Sequence, residues 1–251
     1  MKKHTKPVTR WYRFDVRGVS LEVADSESSR AVFHIVKELE LDQYGIEQVP
    51  FSPGDIVLDI GGHIGLFSIY LAKRHPDIRI YAFEPVPDNH SHFVQNLAAN
   101  NVSTVRLFNK AVTSDGRLLK LHVHLDLNSA GASAYASSAE RAGAQEYVVE
   151  SVTLDRILHD NGITKCKFLK MDCEGAEYEI LLSTNCWAAL DYLGIEIHVN
   201  NFLRRQGYSS ELLLDYCKRF LAEDHIRYTV WHGPFTAVRE HTTRTPSTAT
   251  W

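Results

Sequence analysis

Six ionisable side chains stand where apolar runs of this chain end: Asp59, Glu84, Asp172, Glu174, Glu196 and His198. Asp59 closes Val57-Leu58-Asp59-Ile60 and is followed by Gly61-Gly62-His63-Ile64-Gly65. An apolar run ending in an acid and then glycines predicts a buried strand that breaks into a tight loop, with a helix beginning at Leu66, at which a nucleotide-like cofactor approaches the backbone. Glu84 closes a second run, Ile78 to Phe83. A carboxylate there is placed to accept hydrogen bonds from both hydroxyls of a ribose. Asp172 ends a third run and Glu174 follows two residues later, where its other role would be to favour a helix N-terminus. Glu196 and His198, two apart on a fourth run, point to one face of a strand. His198 is the first choice for a general base, with Asp172 or Glu196 orienting the ring or stabilising the imidazolium. A competing mechanism has a divalent metal, magnesium or manganese, held by Asp172, Glu174, Glu196 and His198 and acidifying a bound hydroxyl; the base is preferred.

The glycine loop discriminates between cofactors. A dinucleotide site uses Gly-x-Gly-x-x-Gly, whereas this loop reads Asp-x-Gly-x-x-x-Gly. A carboxylate at Asp59 would face a pyrophosphate with like charge, which disfavours a dinucleotide oxidoreductase. It suits a cofactor that carries positive charge, and S-adenosylmethionine carries an ammonium and a sulfonium. The helix N-terminus at Leu66 would then face the methionine carboxylate. Phe67 and Ser68 lie on the first turn, Ser68 either touching the cofactor or capping.

From Asp55 onward strand and helix patterns alternate, which predicts a mostly parallel sheet with helices on both faces. Strands are expected at Ile56 to Ile60, Arg79 to Phe83, Thr104 to Asn109, Lys167 to Met171, Tyr192 to Ile197, and as a late pair at Ile226 to Trp231 and Phe235 to Arg239. Helices are expected at Leu66 to Arg74, Pro87 to Asn100, Gly175 to Ser183 and Ser209 to Ala222. Residues 1–54 form an N-terminal extension, with a strand pair turning at Arg17-Gly18 and a helix from Glu27 to Leu39 carrying Val32, Ile35, Val36 and Leu39 at helical spacing. The main domain runs over 55–240 and a polar tail over 241–251. Between Leu118 and Leu154 the alternation breaks: Leu119, Leu121, Val123 and Leu125 alternate with Lys120, His122 and His124. A small-residue stretch, Asn128 to Gly143, then leads to a strand at Tyr147 to Val152. This predicts an inserted hairpin. His122 and His124 share a solvent-facing side of it.

The 251 residues carry 27 Lys and Arg against 31 Asp and Glu, a formal net charge of −4, so no global basic field calls for nucleic acid. The basic aromatic arm Arg10-Trp11-Tyr12-Arg13-Phe14 reads as a packed strand rather than a nucleic-acid contact. No apolar stretch reaches a membrane span or forms a signal peptide, and the four cysteines show no Cys-x-x-Cys spacing, so a reduced, cytoplasmic setting is expected. Oligomeric state leaves no readable signal.

Val57 to Gly65 resembles the first cofactor motif of class I methyltransferases. Together with Phe83-Glu84-Pro85, Asn109-Lys110-Ala111-Val112, Leu169-Lys170-Met171-Asp172-Cys173-Glu174-Gly175-Ala176-Glu177 and Ile195-Glu196-Ile197-His198, it resembles the FkbM family over roughly Ile46 to Val199. The resemblance implies a Rossmann-like fold with a mostly parallel seven-stranded sheet, S-adenosylmethionine as cofactor, and O-methylation of a small hydroxylated acceptor such as a sugar or natural-product intermediate. It also implies that Lys110 and Ala111 lie near the adenine. His63 stands where many members have Asn, which bears on fine cofactor geometry. Carboxyl or N-methylation, a nucleic-acid methyltransferase using the N-terminal arm, and a non-catalytic interaction protein are the alternatives.

Overall fold

The computed structural model describes residues 9–27, 29–123 and 145–232. Its centre is a six-stranded sheet formed by β3 (Ile56–Ile60), β4 (Arg79–Phe83), β5 (Val105–Phe108), β10 (Cys166–Met171), β11 (Leu190–Val199) and β12 (Ile226–His232), in the order β12-β11-β10-β3-β4-β5. Every pairing in it is parallel. The chain runs from β3 outward to β4 and β5, then returns to the other side of β3 as β10. The strand order therefore reverses between β3 and β10, and in open α/β sheets the crevice beyond that point is where ligands bind. The expected seventh strand, 235–239, lies outside the described residues, as do the tail and residues 124–144 with His124 and the small-residue stretch.

Period-two alternation assigns each strand residue to a face. Leu58, Ile60, Leu169, Met171, Leu193, Ile195 and Ile197 pack with α4 (Leu154–Asp160), α5 (Glu177–Ser183) and α7 (Ser210–Cys217). On the opposite face Val57, Ile80 and Phe168 join α2 (Leu66–Arg74) in a core shared with the N-terminal residues Val16, Leu21, Val32, Leu39 and Tyr44. α3 (Pro87–Ala99) packs beside α2 and β2. The extension is a hairpin, β1 (Thr9–Val16) and β2 (Val19–Ser26), followed by α1 (Ala31–Glu40). It turns through Arg17 and Gly18, both at positive φ, as a two-residue turn matched to strand twist requires. The basic aromatic arm is strand β1, whose Tyr12 and Phe14 rings meet Phe33 of α1 edge-on.

Several local features depart from expectation: α1 begins at Ala31 rather than Glu27, and α7 ends at Cys217 rather than Ala222 because Lys218 to Phe220 form a turn. The strand expected over Tyr147 to Val152 divides at Glu150 into β8 (Gln145–Val149), which pairs antiparallel with β7 (Leu119–Val123), and β9 (Ser151–Val152), which pairs with β6 (Ala111–Val112). The short helix α4 was not anticipated, although the Thr153 hydroxyl accepts from the Arg156 N–H as an N-cap. α6 (Asn201–Arg205), equally unanticipated, is capped by Asn200 through the Leu203 N–H. Helix α5 begins at Glu177 rather than Gly175, because Glu174 and Gly175 take φ of 54° and 105° and form a left-handed turn ahead of it.

Candidate active site

The glycine loop is held to β10 from below. Lys170 and Asp59 are register partners on adjacent strands, and the Lys170 ammonium lies 3.2 Å from Asp59 Oδ1. Lys170 also donates to the Gly61 carbonyl at 2.6 Å, and Ser68 Oγ donates to Asp59 Oδ2 at 2.6 Å. Asp59 is fully buried and Lys170 nearly so, and although burial opposes the ammonium's charge, Asp59 and Asp172 outweigh it and raise its pKa. The charge of Asp59 is thus answered within the protein, and its work is to fix the loop. Gly61, at φ 81°, has a reason of its own: a Cβ there would stand 1.7 Å from the Asp172 carbonyl oxygen. At Gly65, φ 92°, a Cβ would stand 2.1 Å from the Phe93 ring. Gly62 is buried between them in the same loop. The room left by these glycines is used by the protein's own packing, so their freedom serves the sharpness of the loop.

Glu84, at the carboxyl end of β4, is nearly fully buried. Its Oε2 accepts from the His63 N–H at 2.8 Å, and its Oε1 from the Val86 N–H at 2.9 Å and the Asn89 amide at 3.2 Å. A carboxylate has about four lone-pair sites, and among the described residues three of those of Glu84 are taken by the protein. Burial is the largest influence on Glu84 and pushes its carboxyl up to about 7 against these hydrogen bonds. His63 is buried with φ 50°, a conformation in which histidine and asparagine are both enriched, and burial lowers its pKa to about 4, leaving the ring neutral. The Asn109 amide donates to the carbonyls of Glu84 and Pro85, tying the β4 loop to the end of β5.

The carboxyl ends of β10 and β11 gather four of the predicted residues. Asp172, Glu174 and His198 bring one ligand atom each within 4.8 Å of one another. His198 Nε2 lies 3.6 Å from Glu174 Oε2 and 4.0 Å from Asp172 Oδ1, while its Nδ1 contacts Glu177 Oε1 at 3.0 Å. Burial disfavours the imidazolium, but Glu174 and Glu177 overcome it and raise the His198 pKa well above the usual value. In this state the ring is charged and has no lone pair to offer. Glu196, on the same face of β11, is buried on the side covered by the N-terminal extension, where the Tyr44 hydroxyl lies 3.4 Å from its Oε2 and 3.2 Å from Asp172 Oδ2, and Gln43 Nε2 3.4 Å from Glu196 Oε2. Burial first, then the Asp172 charge, raises the Glu196 carboxyl well above its usual range.

The remaining predicted residues are placed differently. Phe67 is buried against Tyr44 and Phe168, with its ring edge-on to one and stacked on the other. Lys110 pairs with Glu150 at 3.0 Å on the surface, and Ala111 is buried in the β6–β9 ladder. His122 is half-buried in β7. Sequence reasoning assigned no role to Lys170, Glu177, Tyr44 or Gln43. Lys170 carried a readable signal, a lysine inside the apolar strand Phe168-Leu169-Lys170-Met171. Tyr44 and Gln43 carried none, since they meet Asp172 and Glu196 across more than a hundred residues of chain.

A family profile described as the methyltransferase FkbM domain matches residues 59–220, a span that contains Asp59, Glu84, Asp172, Glu174, Glu196 and His198. The chain belongs to the FkbM methyltransferase family. As a family member it is an S-adenosylmethionine-dependent methyltransferase. Methyltransferase sdnD of Sordaria araneosa is 30% identical to it over 174 residues, covering 59% of this chain and 66% of that protein. Methyltransferase 1 of Beauveria bassiana is 24% identical over 194 residues, covering 69% and 76%. The 31-O-demethyl-FK506 methyltransferase FkbM of Streptomyces tacrolimicus is 36% identical over 66 residues, about a quarter of each chain. Among solved structures, precorrin-6y C5,15-methyltransferase from Geobacter metallireducens GS-15 aligns at 13% identity with a TM-score of 0.41, over 69% of this chain and 68% of that one. Among the described residues, no helix of this FkbM protein is long and apolar enough to cross a membrane.

Proposed function

We propose that this enzyme methylates a hydroxyl of a small molecule, a sugar or natural-product intermediate, in the crevice between the glycine loop and the Asp172–His198 cluster. The observation that carries the reading is the convergence of Asp172, Glu174 and His198 within 4.8 Å at the end of β10 and β11. S-adenosylmethionine, when bound, supplies a methyl group on a sulfonium. Glu84 is our candidate acceptor for a ribose hydroxyl, and the loop from Gly61 to Gly65 is held rigid by Lys170 and Asp59. These residues fit the cofactor.

An alcohol must lose its proton as its oxygen attacks carbon, and a group of buried carboxylates around an imidazole is suited to receive it. His198 remains our candidate for the base, acting as one unit with Asp172, Glu174 and Glu196, since such tightly coupled groups share their protons. Loss of the surrounding negative charge lowers the proton affinity of the ring, and it is the neutral ring that can accept the hydroxyl's proton. A carboxylate acceptor needs no base and would be repelled by this cluster, which favours a neutral hydroxyl. The Streptomyces relative points the same way, since its name makes 31-O-demethyl-FK506 its substrate.

Transfer of labelled methyl from S-adenosylmethionine into a panel of hydroxylated sugars and polyketides tests the reading. Base-stable ether label is expected, with loss of transfer and retained cofactor affinity in His198→Ala. Base-labile ester label would overturn the hydroxyl assignment, and unchanged turnover in His198→Ala would remove the base.

A further inference from the structure

We propose that Asp172, Glu174 and His198 form a binding site for one divalent cation of the magnesium–manganese class, placed to take the acceptor's oxygen as a further ligand. The acceptor's part in this rests on the hydroxyl-methylation reading, and with the ion bound His198 Nε2 would be a ligand rather than the base, the ion acidifying the hydroxyl in its place; the cation site itself does not rest on that reading. Donors bound at about 2.1 Å to one octahedral ion stand about 3.0 Å apart when adjacent and about 4.2 Å apart when opposite. His198 Nε2 is 3.6 Å from Glu174 Oε2 and 4.0 Å from Asp172 Oδ1, inside that span.

The histidine is prepared for such a role by a residue outside the set. Glu177 is completely buried, and its Oε1 accepts both from the Cys173 N–H at 3.0 Å and at His198 Nδ1 at 3.0 Å. That contact fixes the ring so that Nε2 faces the two carboxylates, the carboxylate–histidine arrangement that orients metal-ligating imidazoles. Among the described residues, the second Glu177 oxygen, Oε2, is buried with no hydrogen-bond partner. Glu196 adds a further buried carboxylate on the same face of β11. Against these, Lys170 lies 3.9 Å from Asp172 but 3.2 Å from Asp59, whose charge it already balances. Carboxylates gathered this closely repel one another, and a divalent ion would reduce that cost. Two carboxylate oxygens among three donors, with no thiolate, favour the hard ions magnesium and manganese.

The test is titration of the chelator-treated full chain with manganese chloride, followed by the loss of the free-ion paramagnetic resonance signal, and with magnesium chloride by calorimetry. One Mn2+ per chain is expected, with affinity at least tenfold weaker in Asp172→Asn and Glu174→Gln. Glu177→Gln should weaken it by about 10- to 100-fold, although it touches no ion. Glu146→Gln, on the exposed hairpin, should change nothing. Absence of stoichiometric Mn2+ binding to the wild type would overturn the site, as would unchanged affinity in folded Asp172→Asn and Glu174→Gln. The wild-type stoichiometry decides the matter if those variants do not fold. Calorimetry with S-adenosylmethionine on the same samples separates the two claims: cofactor binding without Mn2+ binding overturns the site alone, and failure of both overturns the functional reading as well.

Discussion

Replacing Lys170 by Met tests the internal pairing that shapes the cofactor loop. The substitution keeps the length and apolar stem of the side chain, while the ammonium, with its cation–π contacts to Tyr44 and Phe67, is lost. Asp59, with no exposure, is then left with Ser68 as its remaining hydrogen-bond donor, and the Gly61 carbonyl loses its donor. Removing one partner of a buried ion pair costs about 3–5 kcal/mol, against total stabilities of about 5–15 kcal/mol for a domain. The double variant Asp59→Asn/Lys170→Met removes both charges and should return to within about 2 kcal/mol of the wild type, because the destabilising element is the orphaned charge. Urea unfolding at pH 7 with unchanged m-values measures both. A single variant within about 1 kcal/mol of the wild type, or a double variant no more stable than Lys170→Met, would refute the reasoning.

Three further outcomes follow from the geometry. Gly61→Ala should cost more than about 3 kcal/mol, since it combines positive φ with a clash on the Asp172 carbonyl, whereas Gly18→Ala, at φ 81° in open space, should cost about 1–2 kcal/mol; thermal melts compare them. Tyr44→Phe should cost about 1.5–3 kcal/mol in urea unfolding through the lost bonds to Asp172 and Glu196, and should slow methyl transfer while leaving cofactor affinity unchanged. Burial raises Glu84 to about 7, and hydroxyl donors bind its ionised form, so cofactor binding lowers that pKa. Affinity should therefore be full above pH 7 and fall by up to about tenfold per unit as pH drops below it; a Kd flat from pH 5.5 to 8 would contradict this.

What could be read from the sequence followed the reach of its periodicity. Ile56 to Ile60 and Arg79 to Phe83 were legible to the residue, because apolar runs buried on both faces end abruptly at an acid or a glycine. Asp172, Glu174 and His198 were legible as a group for the same reason: strand ends at one edge of a parallel sheet converge. The cost of Glu174 and Gly175 taking a left-handed turn left no mark on the pattern, so helix α5 was expected two residues early. Asp59 was legible as a strand-end acid, but its pairing with Lys170 was not, because that depends on the register of two strands far apart in the chain. The closure of the acceptor side by Tyr44 and Gln43 was illegible, because it depends on how α1 docks against the sheet.

The central claim is that the loop from Asp59 to Gly65 and Glu84 form a site for S-adenosylmethionine. Titration calorimetry of the full chain with S-adenosylmethionine, and with NAD as the rival ligand, tests it most directly. The account predicts one S-adenosylmethionine bound per chain, binding weakened by about 10- to 100-fold in Glu84→Ala, and no heat from NAD. Binding of NAD alone, or S-adenosylmethionine binding indifferent to Glu84→Ala, would contradict it.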